Sequence, residues 1–252
     1  MKILIIGDIH GRTNWKSHID DSHDKIIFVG DYVDSFDITG VEQKKNLEDI
    51  ISFKLENFDR VELLIGNHDF SYMTMGTMTC SGYQPEMLHD FYSLFTTESP
   101  NEEHNRYRRF PLFNVAYQID NHLFTHAGVH VGWYNFYATN AVFKQAEDGL
   151  RPILRDLEND GIISEYLNDI FNSGSFDNIF DMIGWMRGGC SRIGSCIWVD
   201  IEHSRKKPLK GYHQYVGHTK TDEIKKYERH GGETSITFLD TLEEDLTLTI
   251  EI

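Results

Sequence analysis

The chain has 252 residues, 40 of them acidic and 24 basic, for a formal charge of −16. That charge repels phosphate backbones and anionic bilayers at long range, which argues against extended nucleic acid or a membrane surface as partner, and no apolar run approaches the roughly 20 residues of a membrane span. The length suits a single α/β domain over 1–252 with no low-complexity linker, and Cys80, Cys190 and Cys196 form no zinc-like pair, which fits a reducing, cytoplasmic compartment.

The first element is the apolar run Ile3-Leu4-Ile5-Ile6, continuous rather than alternating, as a strand buried on both faces requires. It opens into Gly7-Asp8-Ile9-His10-Gly11, so a carboxylate and an imidazole two residues apart follow a buried strand and project to one side if the backbone stays extended. After a short helix expected over 14–21, Lys25-Ile26-Ile27-Phe28-Val29-Gly30-Asp31 repeats the design. Thr39 to Asn57 places Val41, Leu47, Ile50, Ile51 and Leu55 near helical spacing, an amphipathic helix to cover the sheet. Val61-Glu62-Leu63-Leu64-Ile65-Gly66 is the next strand, followed at once by Asn67-His68-Asp69. Strand, helix, strand spacing of this kind implies right-handed crossovers and a parallel sheet whose ligands gather at strand carboxyl ends.

Residues at about 70–110 read as an insertion with a helix around 86–95 and a basic run, Arg106-Tyr107-Arg108-Arg109, that suits a solvated face. Met73, Met75 and Met78 suit either a groove or an irregular core. Phe113 to Ile119 and His122 to His126 flank Asp120-Asn121 as the two strands of a hairpin, the second ending in a histidine. About 133–171 reads as a helical cap. A glycine-rich connection, Gly184 to Ser195, leads to Trp198 and Asp200, the first expected to pack; the basic loop Arg205-Lys206-Lys207 precedes the strand Gln214 to Thr219 and is expected far from its Gly-His end. Ser235 to Leu239 and Leu246 to Ile252 alternate as half-wet antiparallel strands do, and imply a second sheet.

Asp8, His10, Asp31, Asn67, His126 and His218 are all oxygen or nitrogen donors that follow apolar runs, with no thiolate among them. Such a set suits two divalent cations about 3.5–4 Å apart that share one carboxylate. Gly-Asp-Ile-His-Gly, Gly-Asp-Tyr-Val-Asp, Gly-Asn-His-Asp, His-Ala-Gly and Gly-His-Thr, in that order, resemble the calcineurin-like metallophosphoesterases, and within them the phosphoprotein-phosphatase-like branch of bacterial and phage serine/threonine phosphatases and diadenosine tetraphosphate hydrolases. The resemblance implies two mixed β-sheets packed as a sandwich flanked by helices, in four layers, with a closing hairpin formed by the last two strands. It implies two divalent ions, Mn²⁺ first with Fe or Zn as alternatives, the first on Asp8 and His10, the second on Asn67, His126 and His218, and Asp31 bridging. His68 would protonate the leaving oxygen, with Asp34 orienting it.

The implied activity is hydrolysis of phosphate monoesters by water activated between the two ions, with phosphoserine or phosphothreonine as a candidate substrate. Diadenosine polyphosphate or other nucleotide hydrolysis is the alternative, and a metal-stabilised scaffold that binds a phosphorylated partner is the reading of another class. The implied partner is thus a phosphorylated substrate: a phosphoprotein, a nucleotide or a small phosphoester. The chain departs from the protein phosphatases at Ser35-Phe36, where an Arg-Gly usually supplies a guanidinium for phosphate. Arg187 is the favoured replacement, with Arg192 and Arg12 as alternatives.

Overall fold

Ten strands divide equally between two mixed sheets in the computed structural model, which describes residues 1–96, 112–135, 162–172 and 179–252. In the first sheet the order is β10-β1-β2-β3-β4, formed by β1 (Lys2–Ile6), β2 (Lys25–Phe28), β3 (Val61–Leu64), β4 (Phe113–Asn114) and β10 (Leu248–Glu251). β1 to β4 run parallel, and β10 alone is antiparallel, paired to β1. The second sheet has the order β5-β6-β7-β9-β8, with β5 (Ala116–Ile119), β6 (His122–Thr125), β7 (His213–Lys220), β8 (Lys225–Arg229) and β9 (Thr234–Asp240). The α/β sandwich expected from the motifs is the observed architecture.

The apolar run of β1 is explained by its two faces. Ile3 and Ile5 join Ile27, Val29 and Leu64 against Phe124, Tyr215 and Leu239, which is the core between the sheets. Leu4 and Ile6 point the other way, into a larger core with Trp15, Phe28, Leu47 and Ile50. Each such side chain contributes roughly 1.5–3 kcal/mol over its exposed state, so every position of the strand is under the same demand.

α1 (Gly40–Glu56) starts at a capping box in which Thr39 Oγ1 accepts the Glu42 amide and the Glu42 carboxylate accepts the Thr39 amide. Its buried face is only partly the expected apolar stripe. Leu47, Ile50 and Ile51 are buried, whereas Val41 and Leu55 are exposed, and Gln43, Asn46 and Lys54 are buried instead. These polar residues hold backbone: Asn46 donates to the Arg12 carbonyl at 2.9 Å, and Gln43 donates to the Ile38 carbonyl at 2.6 Å and accepts the Ser35 amide at 3.2 Å. The helix thus pins the two loops that follow β1 and β2.

Several boundaries differ from the sequence expectation. The strand expected over Phe113 to Ile119 is divided between the sheets, because Asn168 on α4 (Ile163–Asn172) accepts the amides of Val115 and Ala116 at 3.1 Å and donates to the Ala116 carbonyl at 2.9 Å. One side chain there replaces the ladder bonds of both sheets. The β5–β6 hairpin does turn at Asp120-Asn121, with Ile119 opposite His122. The last two strands form no hairpin: β9 lies between β7 and β8, while β10 closes the other sheet. β9 is buried at six successive positions, since a central strand has no wet face there. β8, a charged edge strand, carried no apolar signal.

A helix, α2 (Asn67–Met73), begins immediately after β3 where a loop was expected, and α3 (Leu88–Phe95) occupies the predicted place. Met73 is buried, Met78 packs on the core and Met75 is exposed. Arg106 to Arg109 and most of the expected cap lie outside the described residues; of that region the described parts are a helical turn, Val131–Trp133, and α4.

Candidate metal centre

The six expected ligands converge at the carboxyl ends of β1, β2, β3 and β6 and within β7, where the register shifts between Val216 and Lys220. Extended backbone is not what aligns Asp8 with His10. β1 ends at Ile6, and His10, Asp31, Asp34 and His218 all have positive φ, at 42, 52, 67 and 65°. Non-glycine residues held there cost about 1 kcal/mol or more each, and such strain gathers at functional sites. Glycine is needed beside them for a different reason. A Cβ on Gly66 would sit 2.1 Å from Asp31 Oδ1, and one on Gly217 would sit 1.9 Å from Asp8 Oδ1. Both carboxylates therefore occupy space that side chains would fill.

Asp31 is the common member of two clusters. His10, Asp31 and His68 place donor atoms within 4.8 Å of one another, and so do Asp31, His126 and His218. Asp31 Oδ2 is 3.2 Å from His126 Nε2 and 4.0 Å from His10 Nε2, while Oδ1 accepts the His68 amide at 2.9 Å. Burial would raise its pKa, but the imidazoles of His126 and His68 outweigh this and hold it far below the usual carboxylate range.

The donor chemistry tests whether a cation fits. His126 Nδ1 donates to the Val29 carbonyl at 2.9 Å and His10 Nδ1 donates to the Val33 carbonyl at 2.7 Å, so in each neutral ring Nε2 carries a lone pair. Those lone pairs aim inward. His126 Nε2 meets Asn67 Oδ1 at 2.9 Å, and His218 Nδ1 lies 2.7 Å from the same oxygen and 3.2 Å from His126 Nε2. Asn67 is turned oxygen-inward because its amide nitrogen donates to Cys80 Sγ at 3.2 Å. Acceptors crowded this closely need a positive charge among them, and the mixed imidazole, carboxylate and amide set suits a divalent ion. His218 Nε2 is buried without a partner, and burial followed by the nearby Arg187 lowers the ring's pKa well below the ordinary value, which keeps it neutral as a ligand must be. Asp8 makes the same point at the other end. Its two oxygens accept the His218 amide at 3.0 Å, and it also shares a hydrogen bond with Asp240. Burial, then Asp240, pushes Asp8 up, and burial, then Asp31, pushes Asp240 up to about 6. Two buried carboxylates this close call for compensating positive charge beside them.

His68 faces the site with its other nitrogen tied back: Nδ1 donates to Asp34 Oδ2 at 2.9 Å. Burial lowers its pKa, yet Asp31 and Asp34 raise it more, to about 9. A cavity of about 380 Å³ opens beside these groups, lined among others by Asp8, His10, His68, Asp240 and Arg12, with Phe36 83% exposed on its rim. Arg187 is directed elsewhere. Its guanidinium donates to Thr219 Oγ1 at 2.5 Å and to the His218 carbonyl at 3.4 Å, and pairs with Asp200 at 3.3 Å. Arg12 lines the cavity, 3.3 Å from Glu243. Trp198 packs edge-on against His218, their ring centroids 6.1 Å apart.

Four supporting residues were not singled out from sequence. Asp69 accepts the amides of Asp31 at 2.7 Å, Tyr32 at 2.8 Å and Gly66 at 2.9 Å, so one buried carboxylate fastens the loops after β2 and β3. Its cue was an acid three residues after the glycine that opens α2. Cys80, used above only to infer compartment, orients Asn67, and Asp240 faces Asp8. Tyr72 donates to Asp34 Oδ1 at 2.5 Å and accepts the Gln84 amide at 2.9 Å. Tyr72→Phe is expected to lower kcat about tenfold with KM and metal content unchanged, the loss of one hydrogen bond to a charged group. Steady-state kinetics on the purified variant check this, and a change confined to KM would remove Tyr72 from the positioning of Asp34.

Residues 1–189 match the family model of the calcineurin-like phosphoesterases. No curated protein matches the chain. Among solved structures, a cold-active protein tyrosine phosphatase, as an isoleucine-to-methionine variant, aligns at 16% identity with a TM-score of 0.52, covering 99% of this chain and 75% of that one. A cold-active protein-tyrosine phosphatase of a psychrophilic Shewanella aligns at 15% identity and 0.48 over 99% and 75%. A protein serine/threonine phosphatase from Saccharomyces cerevisiae aligns at 14% and 0.43 over 94% and 67%. At 16% identity the first of these speaks to fold alone, and nothing is rested on the other two. The family match spans most of the chain and every motif but the last, and with the clusters that share Asp31 it establishes that the chain belongs to the calcineurin-like phosphoesterases, as a metal-dependent phosphoester hydrolase.

Proposed function

We propose that the chain hydrolyses phosphate monoesters, phosphoserine and phosphothreonine side chains among them, with Asp8, His10 and Asp31 holding one divalent cation and Asp31, Asn67, His126 and His218 a second. The observation that carries this reading is the pair of donor clusters joined through Asp31. Cations held by these residues would supply an acidified water and positive charge for the phosphate oxygens. Mn²⁺ suits the hard oxygen and imidazole donors, as do Fe and Zn.

The chain's own residues supply the rest. Asp34 fixes the tautomer and the ring plane of His68, leaving Nε2 as the atom that delivers a proton to the departing oxygen. The Asp34 carboxylate, by accepting from Nδ1, raises the pKa of the ring and so helps to hold that proton against the pull of the cations. A cavity of about 380 Å³ receives a phosphoryl group and a short stem, which favours a monoester over a dinucleoside polyphosphate, and the exposed Phe36 ring offers the stem an apolar edge. Retention of His68 with Asp34 speaks for turnover over mere binding, since a scaffold has no use for a leaving-group acid.

Para-nitrophenyl phosphate, phosphopeptides, nucleotides and dinucleoside polyphosphates given to the Mn²⁺-loaded enzyme test the assignment. Phosphopeptides turned over with the highest kcat/KM are expected. Two bound ions with no turnover of any of these substrates would support the scaffold instead. For phosphate contact we propose Arg12, the guanidinium that faces the cavity. Arg12→Ala is expected to weaken inhibition by inorganic phosphate about tenfold, the worth of a charge-assisted contact, and Arg187→Ala to leave it unchanged. The reverse pattern of inhibition constants would return that role to Arg187.

A further inference from the structure

A second groove, of about 520 Å³, is lined by His130, Arg192, Ile193, His203, Lys206 and Lys207 and shares no lining residue with the cavity at the metal centre. Five basic or imidazole side chains in one concavity run against the −16 charge of the chain. Lys206 is engaged by Glu202 at 3.1 Å, whereas Arg192 and Lys207 have no carboxylate partner among the described residues.

Most of the groove's lining is apolar, and two imidazoles, one of them incompletely bonded, are set into it. His130 is 6% exposed, and its Nδ1 accepts the Gly132 amide at 2.9 Å, which places the ring proton on Nε2. His203 Nδ1 is buried with no partner, and the two rings lie 6.3 Å apart. Burial, then His203 and Lys207, drives the His130 pKa down to about 4, and no carboxylate acts against them. An interior imidazole under uncompensated positive potential is a place that favours an anion.

The groove also belongs to the segment that borders the metal centre. Arg187 touches the His218 carbonyl, and Arg192 follows five residues later, so their Cα atoms are at most about 18 Å apart. Asp200 pairs with Arg187 at 3.3 Å and caps the helix Ile201–Ser204 that carries His203, accepting the Glu202 amide at 2.8 Å.

We propose that this groove is a second anion site, which takes a phosphate group between Arg192 and Lys207 over the His130 and His203 rings. A guanidinium fork, an ammonium and an imidazole N–H match the oxygens of a tetrahedral dianion without a metal. The phosphate group arrives either as free phosphate or as a second phosphate on the substrate.

The test titrates inorganic phosphate into the Zn²⁺-loaded, diamagnetic full chain at constant ionic strength and follows the imidazole resonances of His130, His203 and His68 by NMR. Saturable shifts at His130 and His203 at phosphate on the order of 10 mM or below are expected. Arg192→Gln with Lys207→Gln should weaken that response about tenfold and leave the His68 response intact, which separates this groove from the metal centre. Both side chains are exposed, so folding is preserved, and Arg192→Gln alone provides a milder variant. No saturation, or equal affinity in the double variant, overturns the proposal. In a second arm, a KM that rises in the double variant for a bis-phosphorylated substrate but not for a mono-phosphorylated one identifies the substrate as the source, and unchanged KM values for both assign the groove to free phosphate.

Discussion

Asp31→Asn is expected to empty both cation positions together, taking metal content from two ions per chain towards zero and lowering turnover by on the order of a thousandfold or more. The substitution is nearly isosteric, and the amide oxygen can still accept the His68 backbone N–H that Oδ1 accepts at 2.9 Å. What changes is the other arm. Oδ2, 3.2 Å from His126 Nε2 and 4.0 Å from His10 Nε2, becomes an NH₂ group that presents hydrogens to both lone pairs. Each cluster thus loses a ligand, and the centre loses the charge that offsets two cations held close together. Elemental analysis of the purified variant decides the matter, for loss of a single ion would contradict a shared carboxylate.

His68→Asn should leave both ions bound and slow turnover by roughly 10²–10⁴-fold, the usual worth of a positioned acid. The effect should depend on the leaving group. Nitrophenolate departs without a proton, whereas an alkoxide such as that of serine does not, so alkyl phosphates should suffer more than para-nitrophenyl phosphate. Metal content again serves as the control. His68 stands in one cluster with His10 and Asp31, and a fall to one ion per chain would make it a ligand rather than an acid.

What the sequence disclosed best was whatever repeats a demand at every residue. β1, β2 and β3 are buried on both faces, so their apolar runs announced strands and the polar residues behind them stood out. The places that failed were governed by single distant partners. Nothing near Val115 indicates that Asn168, far along the chain, would take its amide and divide one strand between two sheets. Gln43 and Asn46 sit inside because loops lie beneath that part of α1, and Lys54 because it reaches the carbonyls of Phe58 and Val61 and the carboxylate of Glu62 at the start of β3. The same holds in the site. Asp8, His10 and His218 follow apolar runs and could be found, whereas Tyr72, on α2, and Cys80, in the loop beyond it, act on Asp34 and Asn67 through contacts only a folded chain defines. The direction of Arg187 likewise depended on Thr219 and Asp200 being where they are.

The pairing of β10 with β1 sets an order on how the molecule is made. β1 is synthesised well over 200 residues ahead of Leu248–Glu251, the strand that pairs with one of its two edges, and it carries Asp8 behind it. His218 and Asp240, which face Asp8, also arrive late. Until then a nascent chain presents an apolar edge strand with open backbone groups, the kind of surface that pairs with other chains. Contacts that join residues so far apart also slow folding. Yield in a cell should therefore respond to chaperone supply and to growth temperature, and deleting Leu248–Glu251 should cost solubility while every residue of the metal centre is kept.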